Sequence, residues 1–425
     1  MKNFFRRNFL LLVITFLTAS VSYADNSVDP TPQLQQAINN YLQTYSTQNG
    51  FSAVSLSVSS PTITSPITVN AGCIDMTNDL LNCSTPSGNY LVNNINLYEI
   101  GSITKSFVST ILLQIEATPG SHFNINQKVS QYLPTPEGWG PAADEITIKQ
   151  LLNMTSGVPE FNDFNNPFWT AFAKNPYYDF NSNQLVRYVQ NQYLMFYPGT
   201  SWYYSNTNYI LAGQLVEKLT GHSLQYEINT RIIQPLGLTN TFYVPDDYPQ
   251  NTFAIDRRMA HGYIEDSDFA PYFPMGTDAT YFSTSSARGA GSIISNTSDI
   301  AQWVKALYTS NALLPPTQRA ELESLVSQNT GQPITMPTKD DPGYGLGIGG
   351  DPGPGNEIVF DYIGGMPGYL FAYTYFPKEN ITISIATNSI NLPNAYQMYA
   401  VINQAYGILM NAAPATVQAP KQFYK

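Results

Sequence analysis

Strand-like segments stand near both ends of the chain, and the long stretch between them reads as helix and loop. Near the start, Phe51 to Ser60 alternates apolar and small polar residues, and Ile67 to Ala71 is a second extended run. Near the end, Gly343 to Ile348, Glu357 to Ile363, Tyr369 to Phe376 and Ile381 to Thr387 have the same character. An extended segment cannot satisfy its own backbone, so these runs must pair with one another across most of the sequence. Helical spacing flanks them: Leu34, Ala37, Ile38, Tyr41 and Leu42 mark a helix over Pro32 to Gln48, and another closes the chain from about Asn394 to Leu409. Between lie Phe107 to Ile115, Ile148 to Met154, Asn208 to Thr220 and Thr297 to Leu307, separated by loops rich in Pro, Gly and Asn. The expected fold is α+β: one antiparallel sheet flanked by the N- and C-terminal helices, beside a mainly helical subdomain. The sheet lobe is expected over about 25–102 and 340–412, the helical lobe over about 103–339, and 413–425 as a loose tail.

The first 24 residues read as a cleaved signal peptide. Lys2, Arg6 and Arg7 precede an apolar run from Phe9 to Leu17, and small residues follow up to Ala24. That run is too short to span a bilayer comfortably, so the mature chain is expected to be periplasmic or secreted, without a membrane span. In an oxidising compartment Cys73 and Cys83, the two cysteines, are expected to close a hairpin disulfide.

Charge narrows the partners. The 425 residues carry 19 Lys and Arg against 30 Asp and Glu, net −11, a field that repels nucleic acid and anionic lipid. Three histidines and two cysteines leave little material for a metal site, and no cofactor is expected. Gly345-Leu346-Gly347-Ile348-Gly349-Gly350 fits a dinucleotide-binding glycine pattern, but Asp351-Pro352-Gly353 follows where a helix would have to begin. Those glycines read better as a strand ending in a tight turn.

Ser102-Ile103-Thr104-Lys105 is the one S-x-x-K of the chain, at the head of the apolar run from Phe107 to Ile115. Residues three apart share a helix face, so hydroxyl and amine meet, and the helix N-terminus favours a developing alkoxide. Taken alone, a serine capping a helix explains the tetrapeptide equally well. Tyr204-Ser205-Asn206 is the one Y-x-N, after Pro198-Gly199 and before the helical run at Asn208. A tyrosine beside a lysine can serve as general base, and an asparagine two residues on can hold a substrate amide.

Together with Tyr98-Glu99-Ile100-Gly101, Ile146 to Gly157, His261-Gly262-Tyr263 and Gly289 to Ser292, these blocks resemble the serine β-lactamase and penicillin-binding protein superfamily. The resemblance is to the branch of class C β-lactamases, low-molecular-weight D-Ala-D-Ala carboxypeptidases and related esterases, and covers about Gln33 to Leu409. It implies a single catalytic domain over 25–412, in which Ser102 is the acylated nucleophile, Lys105 and Tyr204 share proton transfer, and Asn206 contacts substrate. Where the family carries K-T-G or H-x-G, this chain has Tyr362-Ile363-Gly364 followed by Gly365. The glycines are kept, so Gly365 N–H can join that of Ser102 as an oxyanion hole, with Tyr362 and Gly364 beside the substrate. The group that binds a substrate carboxylate is missing, and Arg288 on a neighbouring loop is the available replacement. The expected function is an exported serine hydrolase working through an acyl-enzyme on Ser102. The substrate is small or peptidic: a cell-wall peptide or β-lactam first, a small acyl ester second, with a non-catalytic peptide-binding protein as the rival outside enzymes. An aromatic cluster at Phe161, Phe164, Phe168, Trp169, Phe172, Tyr177, Tyr178 and Phe180 reads either as an apolar wall of the site or as a loop packing on itself.

Overall fold

The computed structural model describes residues 29–61, 63, 65–75, 90–245, 255–392 and 395–412, with the backbone alone at 84–85 and 88–89. The expected signal peptide, Cys83 and the tail from 413 lie outside the described residues. Nine strands form the main sheet: β1 (Ala53–Ser59), β2 (Ile67–Gly72), β3 (Leu325–Ser327), β4 (Pro333–Ile334), β5 (Gly343–Tyr344), β6 (Gly349–Pro352), β7 (Ile358–Met366), β8 (Tyr369–Phe376) and β9 (Ile381–Thr387). Their order is β4-β3-β5-β6-β7-β8-β9-β1-β2, with every pairing antiparallel. The N-terminal strands therefore complete a sheet that the C-terminal third of the chain begins.

Every residue of β1 is buried, because the strand lies inside the sheet with both faces covered. On one face helices α1 (Thr31–Asn49) and α2 (Tyr396–Ala412) pack against each other and the sheet. The serines of β1 turn to the opposite face, where Ser57 Oγ meets Thr297 Oγ1 at 2.7 Å, at the start of the helix Thr297–Thr309. The small serines let that helix approach closely, and their hydroxyls find partners there. All five apolar positions read as the face of the first helix are buried.

Two boundaries differ from expectation. The sheet begins at Leu325 rather than near residue 340, because β3 and β4 form an edge hairpin too short to show alternation. The glycine-rich run is a strand only at Gly343–Tyr344; it then turns and re-enters the sheet as β6, with no helix following. Cys73, at the end of β2, is buried. Among the described residues no helix is long and apolar enough to cross a membrane.

Asn388 fastens the two chain ends together. Fully buried just past β9, it accepts the N–H groups of Ser52 (2.9 Å) and Ala53 (2.8 Å) and donates to Ser52 Oγ and to the carbonyl of His261. Asn388→Ala leaves two buried N–H groups and one carbonyl without partners. The expected cost is about 3 kcal/mol, read as a lowered urea midpoint with an unchanged m-value.

Candidate active site

Ser102 sits in a turn of 3-10 helix, Gly101–Ile103, that runs directly into the helix Thr104–Ala117. The short strand Tyr98–Glu99, paired with Ile293–Ser295, delivers the turn. Lys105 stands one turn on, wholly buried, and its amine donates to Ser102 Oγ (3.0 Å), Asn206 Oδ1 (2.7 Å) and the carbonyl of Ala290 (2.8 Å). The Tyr204 hydroxyl lies 2.7 Å from Ser102 Oγ. Hydroxyl, amine, phenol and amide, taken from sequence positions about a hundred residues apart, thus form one hydrogen-bonded cluster. Lys105 Nζ also lies 5.0 Å from the centre of the Tyr204 ring.

The loop carrying Tyr204 and Asn206 is strapped to the segment 154–160. Tyr203 N–H donates to the Met154 carbonyl (3.1 Å), Thr207 Oγ1 to the Pro159 carbonyl (2.7 Å) and Ser156 Oγ to Asn208 Oδ1 (2.6 Å). Glu160, which the sequence did not single out, accepts from both the backbone N–H and the side-chain amide of Asn206. Because Asn206 Nδ2 is held by Glu160 and Asn162, its Oδ1 is turned to Lys105. Burial pushes the Glu160 carboxyl up to about 7, against the pull of N–H donors from Asn206, Asn162 and Phe161 and of the Lys105 charge.

Two glycines allow the nucleophile turn to lie against β7. Gly101 adopts φ +51°, and a Cβ there would stand 2.7 Å from Gly365 N. A Cβ on Gly364 would come within 1.9 Å of the Ile100 carbonyl oxygen. Strand β6 pairs with β7 only as far as Asp361, so from Tyr362 onward that edge has no strand beside it among the described residues.

Tyr362 is buried, and its phenol is 2.6 Å from that of Tyr344. Burial first, then the neighbouring phenol of Tyr204, drives its ionisation well above the ordinary tyrosine range. Trp202, Tyr204 and Tyr344 close a ring cluster with centroids 5.6 to 6.4 Å apart. Arg288 does not replace the missing cation: its guanidinium donates to the Phe180 carbonyl and lies 3.7 Å from Asp179, and it is not on the wall of the cavity around Ser102. That cavity measures about 690 Å³. Phe164, Phe168, Trp169 and Phe269 line it, so part of the aromatic cluster faces the site, while Phe161, Phe172 and Phe180 are buried in the lobe. The expected patternless loop contains a helix, Pro167–Lys174, capped by the Asn166 side chain.

The sequence matches the beta-lactamase family over residues 88–405. The chain belongs to that family. Its members are acyl-transferring serine hydrolases and penicillin-binding proteins, and the fold is theirs. Among curated relatives it is 25% identical to an N-acetylmuramyl-L-alanine amidase of Bacillus subtilis, over 70% of this chain and 69% of that one. It is 29% identical to penicillin-binding protein 4* of the same organism, over 64% of this chain but little more than half, 56%, of that protein's length. A D-stereospecific amidohydrolase from Streptomyces superposes with a TM-score of 0.66 at 25% identity, covering 84% of this chain and 94% of that one. D-amino acid amidase from Ochrobactrum anthropi superposes with a TM-score of 0.71 at 20% identity, over 91% and 99%, a likeness of fold.

Two outcomes follow. Gly364→Ala forces β7 away from the Ser102 turn, so labelling of Ser102 by a fluorophosphonate should slow at least about tenfold, with about 1–3 kcal/mol lost in stability. Glu160 has a folded pKa near 7, above its ordinary 4.5, so its contribution to stability is complete below 4.5 and is lost as pH rises through 7. Glu160→Gln should remove about one proton from the pH slope of unfolding free energy in that window, checked by urea titrations across it.

Proposed function

We propose that the protein is an amidohydrolase that transfers an acyl group to Ser102 and then to water, acting on a small amide or peptide. The chemistry is that of the D-Ala-D-Ala carboxypeptidase-like and β-lactamase-related amidohydrolases that the resemblance implies, with a different preference for the leaving group. The observation that carries the reading is the position of Ser102 Oγ, in hydrogen-bond reach of both the buried Lys105 amine and the Tyr204 phenol. As Oγ attacks the acyl carbon, the Ser102 proton passes to the Tyr204–Lys105 pair. The same proton goes on to the leaving nitrogen as the C–N bond breaks, giving the Ser102 ester and a free amine. Water then repeats the sequence, its proton returning to Ser102 as the acid departs. Negative charge on the acyl oxygen is met by the N–H groups of Ser102 and Gly365 and by the positive end of the helix behind them. An extended substrate lies along the free edge of β7, with Asn206 holding its amide.

The wall beyond the scissile bond sets the preference. By the resemblance, Tyr362 and Ile363 stand where the family places groups that bind a substrate carboxylate; the cavity wall holds the acids Asp351 and Asp361, and its one cation among the described residues is the exposed Lys339. Both carboxyls are pushed up by burial, so the buried wall beside them disfavours a further anion. Substrates without a carboxylate beside the leaving group are therefore preferred over penicillins and C-terminal D-alanine. The same substitution favours a second reading, an esterase of small acyl esters. We further read residues 1–24 as removed on export and Cys73 as bonded to Cys83; intact mass of the exported protein should begin at Asp25 and lack two hydrogens.

A side-by-side assay tests the proposal, with a D-alanyl-D-alanine peptide, a D-amino acid amide, a chromogenic cephalosporin and a short-chain nitrophenyl ester. Turnover is expected to be fastest on the amide, to vanish in Ser102→Ala, and to fall on the order of 10²–10⁴-fold in Tyr204→Phe. Turnover confined to the ester would establish the second reading. Retained turnover in a folded Ser102→Ala variant would overturn the mechanism, and no turnover with no fluorophosphonate adduct would make the protein a binding module.

A further inference from the structure

Three residues before Ser102, Glu99 lines a second cavity of about 410 Å³, which shares no lining residue with the cavity of Ser102. Glu99 belongs to the strand that delivers the nucleophile turn, opposite Ile294. It is 3% exposed, and its carboxyl has no hydrogen bond or ion pair among the described residues. Folded proteins satisfy buried carboxyls almost without exception, so this one, on a cavity wall, marks a place where something else supplies the partner.

The remaining wall identifies the chemistry. Asp179 and Asp256 contribute two more carboxyls, Tyr281 and Phe282 contribute rings, and no Lys, Arg or His stands on it among the described residues. Arg288 meets Asp179 only at the largely exposed rim. These acids are not gathered as a metal-binding group, so a bare cation is not the natural occupant. Carboxyls with aromatic faces suit an organic cation, whose charge bonds the acid while its apolar body lies on the rings. The net charge of −11 draws such ligands in.

We propose that this cavity binds a small primary amine, its ammonium on Glu99 and its apolar body against Tyr281 and Phe282. The site is independent of the chemistry assigned to Ser102. Burial alone holds the Glu99 carboxyl well above the carboxylate range. The other titratable groups on the cavity wall are Tyr177, Asp179, Asp256 and Tyr281, the phenol of Tyr369 interacts with Glu99, and none of them is a cation. Burial thus favours the neutral form of Glu99 in the empty site, and a seated ammonium favours the ionised form, with release of a proton. The ammonium can come from a free amine or from a lysine side chain of a peptide, and the two sources are tested separately.

The test is calorimetric titration of the full chain and of its Ser102→Ala variant with phenethylamine and, as the peptide arm, with N-acetyl-Ala-Lys-Ala-amide. The neutral and anionic analogues 2-phenylethanol and 3-phenylpropionate serve as controls. Saturable binding of an ammonium probe is expected in both proteins, at least about tenfold tighter than either control. A buffer-dependent enthalpy should show proton release. Glu99→Gln should weaken binding at least about tenfold and abolish the release. The arm that binds names the source. No saturation by either probe, equal binding of 2-phenylethanol, or binding unchanged in a folded Glu99→Gln would each overturn the proposal. So would binding that persists in Glu99→Gln and is lost in Asp351→Asn, which would put the amine in the cavity of Ser102.

Discussion

The site depends on one buried amine. Lys105 is wholly buried, so its donors must all find acceptors within the protein, and they do so on three separate pieces of chain: the Ser102 turn, the Asn206 loop and the carbonyl of Ala290. Removing any acceptor leaves a buried donor exposed to nothing. The amine therefore fixes the spacing of the pieces as much as they fix the amine. Glu160 belongs to the same constraint at one remove: by holding the amide nitrogen of Asn206 it decides which end of that amide Lys105 meets.

Much of this was legible in the sequence because it is local. The S-x-x-K spacing placed hydroxyl and amine on one helix face, and periodicity found the long strands and helices to within a few residues. What escaped was set by distant contacts. The edge hairpin of β3 and β4 is too short for alternation to register, and the helix at Pro167 is eight residues long, its three buried aromatics lying within a longer aromatic stretch that follows no single period. Glu160 and Ala290 act through positions revealed by folding alone, one through a neighbouring loop and the other through its backbone. Arg288 illustrates the converse error: a cation on a neighbouring loop was available to replace the missing one, but its positive φ and its bonds to Asp179 and Phe180 turn it elsewhere.

On the function proposed above, Tyr362 sets the electrostatics of the cavity. Its phenol shares a hydrogen bond with Tyr344, inside a cluster of rings that also backs Tyr204. A neutral hydroxyl needs no counter-ion in the empty site, whereas a buried cation would. The one cation on the cavity lining among the described residues, Lys339, is exposed.

The placement of β1 between β9 and β2 governs when the enzyme comes into being. Its neighbour β9 lies more than three hundred residues away in the chain, joined through pairs such as Val54 with Thr387. Contacts so distant close slowly, since the loop entropy must be met before the pairing rewards it. A nascent chain that has made Ser102, Lys105 and Tyr204 still lacks β7, against which the nucleophile turn rests, and the strands that cover β1. If Ser102 is the nucleophile proposed above, it therefore stays latent until the C-terminal strands are made, and their completion acts as the molecule's own release from quiescence.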